Sequence, residues 1–554
     1  MSGCPAAYPA GRRPLTLGAP VHPPRTPAET ETAVAAELRT VRPDLLSPYA
    51  AELPGARSAV LTRLWRGLAL EPLPWVTRRE AGHDGLTLRL ADGRRLHGPR
   101  PDAYATAPTV TEVELDGTAY DHPAALMTAL GLPHGLPFAA ELVDSVASLA
   151  LSRANQPLSR GSSAGPSAGP SAGPSAGPSE APRTLWEWEQ RVVDGHPFHP
   201  NCRSRPGFSV AEQLAYAPEH RPVVRLGLVA VREEDCRSTG EWPYREAGRL
   251  LIPVHPWQAR HVLQDEKPVG DEMAAHPLMS LRTLAVPGGP HVKTALSARL
   301  TSSVRDISVY SITSAATVSA FMESMAGRLD GLLHITRTLG AVTAGSADLA
   351  AVSRESPELY AGPGEQVVPV AALAASGLPR SPRRLAEFSR LALTVGLRLL
   401  DLGVALEAHG QNLLVVLSPA GDPVRLVYRD LADIRISPAR LARHGIPVPD
   451  LTGRIVTDDE SVLRSKLFGS LVAGTLAATA GSTQALREAL STAVRDLPRT
   501  PDLAALLEEP LPAKALTLMR LSPERPGDIW ARLPNPLADP LADPLVLKRG
   551  AFDQ

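Results

Sequence analysis

The chain has 554 residues, 44% of them hydrophobic and 21% charged, and a formal net charge of −1. That is an ordinary globular composition on a chain too long for one core, so roughly three or four domains or lobes are expected. The balanced charge leaves no nucleic-acid footprint and no acidic tail in the totals.

Cys4, Cys202 and Cys236 are the three cysteines, and their spacing fits neither a disulfide framework nor a CxxC pair, which points to a reducing compartment. The N-terminus lacks an apolar h-region, and no stretch approaches the length of a membrane span. A soluble cytoplasmic protein is expected, with neither nucleic acid nor membrane as partner. Of 57 basic residues only Lys267, Lys293, Lys466, Lys514 and Lys548 are lysine; the arginine bias reads as coding composition, and a surviving lysine stands out against it.

Residues 1–27 are rich in Pro, Gly and Arg and are expected to be disordered. Ala28 to Val41 and Ala56 to Leu68 have helical patterns. From Gly85 the period changes to two, and LTLRLADGRRLHG and TVTEVELDG read as strands broken by Asp-Gly turns. HPAALMTALG and AAELVDSVASLALSRANQ return to helix, which completes an N-terminal lobe over 28–157. SAGP then occurs four times in tandem from Ser163 to Pro178. Such a composition cannot bury a core, so 158–182 reads as a flexible insertion between helices.

Helical TLWEWEQRVVDG leads into GHPFHPNCRSRPGFS, Gly195 to Ser209. His196 and His199 each precede proline, which forces extended or turn backbone and rules out a helical metal pair; zinc would need more ligands than Cys202 adds. Arg203, Arg205 and Gly207 turn the motif toward an anion pocket. LLIPVHPWQARHVL follows, with His255 again before proline.

KTALSARLTSSVRDIS, Lys293 to Ser308, concentrates Lys293, Ser297, Arg299, Thr301, Ser302 and Arg305. Alternation puts Lys293, Ser297 and Arg299 on one face of a strand, with TSS as a turn or helix cap. Hydroxyls, backbone N–H groups and a guanidinium suit phosphate or carboxylate oxygens, because charge-assisted and bidentate hydrogen bonds are the strong ones. Taken alone, the stretch reads first as a sheet edge with a capped helix and a solvated arginine; the rest of the chain turns it toward the anion site.

Arg384 to Leu406 form a long helix, apolar on nearly every side and therefore expected to be buried. Beyond it, LEAHGQNLLVVLSPAGDPVRLVYRDLADIRIS places Glu407, His409, Gln411 and Asn412 in a loop, followed by a strand, a Gly-Asp-Pro turn, a returning strand and Asp430. Asn412 and Asp430, on adjoining strand ends, are hard oxygen ligands of the kind magnesium takes, with nucleotide phosphates completing the octahedron. The alternative is a hairpin with a surface aspartate.

Together GHPFHPNCRSRPGFS, IPVHPWQ, KTALSARLTSSVRDIS, EAHGQNLLVVL, YRDLADIRIS, KALTLMRL and the NPL at 535–537 resemble, in order, the NRPS-independent siderophore synthetases of the IucA/IucC (aerobactin synthetase) type. The resemblance implies an α+β, multi-lobed thumb-fingers-palm architecture: a thumb-like lobe at 28–157, a fingers-like ATP- and carboxylate-binding lobe at 183–380, and a mostly helical palm-like lobe at 381–554 carrying the metal loop. It implies a nucleotide lobe distantly similar to the protein-kinase fold, and a homodimer. The implied reaction serves siderophore biosynthesis and iron acquisition. ATP and Mg2+ activate a carboxylate of citrate or another polycarboxylate as an acyl-adenylate, and an amine or hydroxyl captures it, releasing AMP and pyrophosphate.

By the same resemblance Lys293, Ser297, Arg299, Thr301, Ser302 and Arg305 hold the ATP phosphates, with Thr301, Ser302 and Arg305 also on the carboxylate. His196 and His409 face the carboxylate and the α-phosphate, while His199 and Arg203 stand on the substrate side. Gln411 joins the nucleotide site, Glu407, Asn412 and Asp430 organise the metal, and Lys514 reaches the substrate. Arg203 replaces the family's usual lysine, which changes hydrogen-bond geometry, and the tail carries a duplicated PLADPLADP. The chemistry agrees: a carboxylate attacking an α-phosphorus joins two anions, so cations must neutralise the transition state. Two other classes share parts of this pattern, a small-molecule phosphotransferase using HGQN and a following Asp, and a non-catalytic carboxylate or ferric-siderophore binder.

Overall fold

The structure, a computed structural model, describes residues 26–157, 182–300, 303–525 and 527–538. The expectations for residues 1–25, the SAGP segment, Thr301, Ser302 and most of PLADPLADP lie outside these. Thr26 opens the first helix, Pro27–Val41, with a capping box: its hydroxyl accepts from Glu29 N–H, and the Glu29 carboxylate accepts from Thr26 N–H, satisfying two donors a helix start leaves orphaned. Helix Leu46–Leu70 packs against Gly135–Ala154. Between them runs an antiparallel meander, Val76–Ala81, Leu86–Leu90, Arg95–Gly98, Val113–Leu115 and Thr118–Tyr120, its strands neighbouring in chain order. LTLRL alternates as its sequence predicts, with Leu86, Leu88 and Leu90 buried. They join Tyr49, Trp65 and Phe138 in one core.

One expectation is corrected in this lobe. Gly135–Ala154 is long and apolar enough to cross a membrane by length and composition, but 72% of its apolar window is buried in the protein, as in a core helix. The end of the chain returns to the same lobe: Ala515, Leu518, Leu521, Ile529 and Ala531 share its core. The buried Glu71 carboxylate accepts the N–H groups of Thr517 at 3.0 Å and Leu518 at 2.7 Å.

Two sheets hold the centre. The larger is a nine-stranded antiparallel sheet, ordered Arg237–Gly240, Thr338–Thr343, Ala350–Arg354, His291–Thr294, Thr283–Ala285, Met273–Pro277, Val224–Arg232, Arg249–Val254, Arg245–Glu246. The smaller has four strands, Leu333–Ile335, Pro423–Tyr428, Leu413–Leu417 and Gln366–Pro369, the first two parallel. Leu413–Leu417 is buried throughout, as a continuous apolar run requires when both faces are covered.

Helix Pro382–Leu402 covers this sheet and ends at Gly403, whose φ of 108° is a left-handed cap. It is amphipathic and not buried all round, because Arg383, Glu387, Arg390, Thr394, Arg398 and Asp401 recur at helical spacing and form one outward stripe. The arginines interrupt what its leucines alone would have made apolar.

Candidate functional site

The two sheets meet where their functional side chains stand. Lys293 belongs to His291–Thr294 in the larger sheet. Asp430 follows Pro423–Tyr428 in the smaller one, in left-handed backbone with φ 67°. Across the sheet end Leu413 pairs with Tyr428 and Arg429 N–H donates to the Asn412 carbonyl at 3.0 Å, so Asn412 stands opposite Arg429, the residue before Asp430. Asn412 and Asp430 therefore stand at the same end of this hairpin, one register position apart. Lys293 Nζ donates to both Asp430 oxygens, at 2.9 and 2.7 Å, and Arg354 Nη2 lies 3.9 Å from the same carboxylate. Burial would raise the Asp430 pKa, but Lys293, Arg354 and Arg282 hold it far below the usual carboxylate range. Burial, with Arg282 and Arg354 beside it, pushes Lys293 down to about 8 in spite of its partner.

The segment from Lys293 to Ser308 contributes to three strands and not one. It breaks after Thr294 and resumes as Leu296–Leu300, which pairs with Ser303–Arg305 so that Leu296 faces Arg305. The hairpin brings Arg305 next to Ser297. Arg282 holds the far end of its second strand, donating to the carbonyls of Arg305 and, at 2.8 Å, Asp306. Ser297 is more constrained than the sequence reading supposed: its N–H donates to Gln258 Oε1 at 2.8 Å, its hydroxyl accepts from Gln258 Nε2 at 2.9 Å and donates to Asp348 at 2.5 Å. Arg299 lies on this hairpin by its backbone.

The histidine–proline pairs have a local explanation. Because proline lacks an N–H, the next amide can fold back onto the imidazole, and Nδ1 accepts from it in His122 (Ala124, 3.1 Å), His196 (Phe198, 3.2 Å) and His255 (Trp257, 3.1 Å). His409 does the same across Gly410, with Gln411 N–H at 3.3 Å. An accepting Nδ1 leaves the proton of a neutral ring on Nε2, which becomes a donor. Burial first, then Lys514 and Arg305 against the opposing Glu407 and Asp430, lower the pKa of His409. The edge of His196 reaches solvent, yet the protein crowded round it, with His199, His409, Arg63 and Arg66, keeps it well below its ordinary value. Both are neutral N–H donors near pH 7. His199 is more deeply buried, beside Arg520, Arg305 and Arg63, and falls to about 3.

Glu407 is not brought against Asp430 and Asn412 as a third free oxygen ligand. Lys514 lies 2.7 Å and Lys466 3.2 Å from its carboxylate, and Asp528 contacts the same two lysines at 3.2 and 3.4 Å. Burial alone would raise Glu407, but the lysines bring it down to about 2. The cluster is placed from below by the helix Glu460–Ser470, which continues as a π-helical turn, Leu471–Leu476. Ser470 Oγ accepts from Ala408 N–H at 2.9 Å and Thr475 Oγ1 donates to the Ala408 carbonyl at 2.6 Å, clamping the backbone between Glu407 and His409. Among the described residues no three His, Cys, Asp or Glu side chains form a metal-binding group. Magnesium needs no such cage when phosphates supply oxygens, so Asn412 and Asp430 fit it once Asp430 gives up Lys293, which holds both its oxygens; Glu407 likewise fits only if it leaves its lysines.

Arg203 requires a correction. It is 6% exposed, donates to the Val192 carbonyl and, at 3.4 Å, to Glu219, while Arg205 takes Glu219 at 2.5 Å. Glu219 is fully buried, and an unpaired buried carboxylate is costly, so the arginines neutralise it and Arg203 is part of the packing, away from any open face. Arg282, Arg354, Asp348 and Asp528 carried no signal in the sequence, Gln258 entered only as the end of IPVHPWQ, and Lys466 only as a rare lysine. Lysine rarity was the available signal for Lys466, since Lys293, Lys466 and Lys514 all stand here. A separate cavity of about 300 Å³ lies on the other face of the Glu460–Ser470 helix, between Arg464, Phe468, Leu511 and Arg532.

Residues 184–375 match the IucA / IucC family. Residues 385–529 match a family described as ferric iron reductase FhuF-like transporter. That stretch contains no cysteine, hence no thiolates of the kind that hold iron–sulfur clusters. The chain is 26% identical over 311 residues to the citryl-spermidine/3,4-dihydroxybenzoyl-citryl-spermidine:spermidine ligase of Bacillus anthracis, an alignment spanning 44% of this chain and half of that ligase's length.

In three dimensions it resembles the petrobactin biosynthesis protein AsbB of the same organism (TM-score 0.71, 18% identity, 90% of this chain and 98% of that one). It also resembles ATP-bound aerobactin synthetase IucA of Klebsiella pneumoniae (TM-score 0.65, 19% identity, 86% and 99%). The mixed α/β fold is theirs. With the motifs in order and the site assembled as described, the IucA / IucC family match over residues 184–375 and the siderophore-ligase relatives together support a siderophore synthetase, on the fold of the structural neighbours.

Proposed function

We propose that the protein is an ATP-dependent carboxylate–amine ligase of siderophore biosynthesis, which adenylates a carboxylate of citrate or a related polycarboxylate and passes the acyl group to an amine. The observation that carries this reading is the gathering of Lys293, Arg354, Arg282 and Arg305 around Asp430, beside the neutral donors His196 and His409. Cations at fixed positions suit the charge that grows when a carboxylate oxygen bonds to the α-phosphorus and the bond to pyrophosphate breaks. The amine nitrogen then attacks the acyl carbon, loses a proton, and AMP leaves.

Support comes from the relatives: one is a ligase of citryl-spermidine and spermidine, and a structural neighbour is ATP-bound. Lys293 and Arg305 would take phosphate oxygens and His409 Nε2–H a non-bridging oxygen, with His196 and His199 toward the carboxylate. When bound, magnesium would neutralise phosphate charge from Asn412 and Asp430. Lys514 would meet the substrate carboxylate on leaving Glu407. The thumb-fingers-palm division with a kinase-like lobe, the homodimer and a cytoplasmic location belong to the same reading, with one adjustment: Leu333–Ile335 and Gln366–Pro369, before residue 380, share a sheet and core with the C-terminal lobe. Hydroxylamine trapping tests the acyl intermediate. ATP, magnesium, citrate and hydroxylamine should yield a hydroxamate; its absence across a panel of carboxylates that bind the protein would reject adenylation.

A further inference from the structure

Behind the Lys293–Asp430 contact lies a second, fully enclosed link between the same two sheets. Glu189, on the short helix Leu185–Gln190, is 0% exposed. One carboxylate oxygen accepts the Met279 N–H at 2.7 Å, and the other lies 2.7 Å from Arg429 Nη2. Met279 leads into the larger sheet: Leu278 N–H donates to the Thr283 carbonyl at 2.9 Å, and Thr283 pairs in register with Lys293. Arg429 stands at the end of the smaller sheet, next to Asp430, and is 5% exposed. Its Nε donates to the Gln411 carbonyl at 3.0 Å, and its N–H to that of Asn412 at 3.0 Å.

A buried carboxylate without a partner is strongly disfavoured, and a buried ion pair is rarely the most stable way to fill its volume. Packing alone would be served by apolar side chains. What apolar side chains cannot do is hold the Gln411 carbonyl and join two sheets at a defined distance. The link adds to the Lys293–Asp430 contact and to Thr336, on the connection between Leu333–Ile335 and Thr338–Thr343, whose N–H donates to the Tyr428 carbonyl at 3.1 Å; it is the one of these that holds the Gln411 carbonyl. We propose that Glu189, acting through Arg429, is a positioning residue that sets the His409–Asn412 loop and Asp430 against Lys293. This deepens the functional reading and rests on it for the role of the loop, though the geometry concerns this chain alone.

The test compares Glu189→Gln, Glu189→Asp and the double variant Glu189→Met/Arg429→Met with the wild-type protein. Thermal melting, ATP affinity by calorimetry and hydrogen exchange at the Gln411 and Asn412 amides are read for each. The inference expects Glu189→Gln to melt lower, to bind ATP at least tenfold more weakly and to exchange these amides at least tenfold faster, with Glu189→Asp partly restored. The double variant, free of unpaired charge, should regain most of the melting temperature and none of the affinity or amide protection. If it regains all three, or if Glu189→Gln keeps affinity and protection within twofold of wild type, the pair is only structural and the inference fails. Exchange needs no ligand, so a wild-type protein that does not bind ATP would sink the functional reading while the positioning role is still decided by the amides.

Discussion

Lys293 and Asp430 are 137 positions apart in the chain, yet the ammonium sits between both carboxylate oxygens at 2.9 and 2.7 Å. Lys293 lies on an inner strand of the larger sheet and Asp430 just beyond a strand of the smaller one, and Arg354 and Arg282 crowd the same carboxylate. Asp430 is thus the internal anion of a cationic cleft, standing where a phosphate oxygen would be attracted, and that relation sets the sign of several expected effects.

Lys293 should give nucleotide binding a pH dependence. Its pKa near 8 means the ammonium is present below that pH and lost above it; bound phosphate stabilises the protonated form, so affinity falls as pH rises through 8. Calorimetry between about pH 6 and 9, below the value of about 10 to which burial lowers Arg282, should show the decline in the wild type and a flatter profile in Lys293→Arg. A wild-type profile that is flat through pH 8 removes Lys293 from the phosphate site.

Asp430→Asn should separate metal from nucleotide. With the internal anion gone, metal-free ATP should bind no more weakly than to wild type, while magnesium should lose its effect on affinity and turnover should fall by about two orders of magnitude, as for other losses of transition-state charge stabilisation. Melting should also drop, because Lys293, 8% exposed, loses its counter-ion. Unchanged magnesium dependence in this variant moves the metal elsewhere.

Lys466 is 4% exposed at its side chain, and Lys466→Met should destabilise the protein by about 3 kcal/mol, the order seen when one partner of a buried pair is removed. The Glu407 side of the cluster predicts an acid limb. Its pKa of about 2 lies below the unfolded value of about 4.3, so its contribution is complete above that value and is lost as pH falls toward 2. Melting curves over that window should fall more steeply for wild type than for Glu407→Gln; parallel curves would mean the carboxylate is not held as described.

Arg305→Ala should lower turnover by about two to four orders of magnitude, as removal of other preorganised oxyanion donors does, with a smaller loss of ATP affinity. A variant that loses affinity and keeps kcat would make Arg305 a ground-state binder only.

Local pattern carried much of this arrangement. Period-two leucines predicted Leu86–Leu90, and the Gly-Asp-Pro turn put Asn412 and Asp430 at the same end of one hairpin because hairpin register follows from turn and alternation. Histidine before proline marked special backbone, though the fold-back of the following amide onto Nδ1 emerged only in three dimensions. What stayed hidden is long-range pairing. Nothing local says that Arg203 neutralises Glu219, that Lys514 and Lys466 bracket Glu407, or that Arg354 stands across the strand from His291 and so beside Asp430. Pairing partners of charges are chosen by topology, and helix Pro382–Leu402 was misjudged by weighing its leucines above the outward arginine stripe.

Product analysis tests the central claim most directly. The purified protein incubated with ATP, magnesium, citrate and a diamine should release AMP and pyrophosphate in step with amide formation, since the carboxylate attacks the α-phosphorus. Release of ADP with a phosphorylated acceptor would place the attack on the γ-phosphorus and contradict the account.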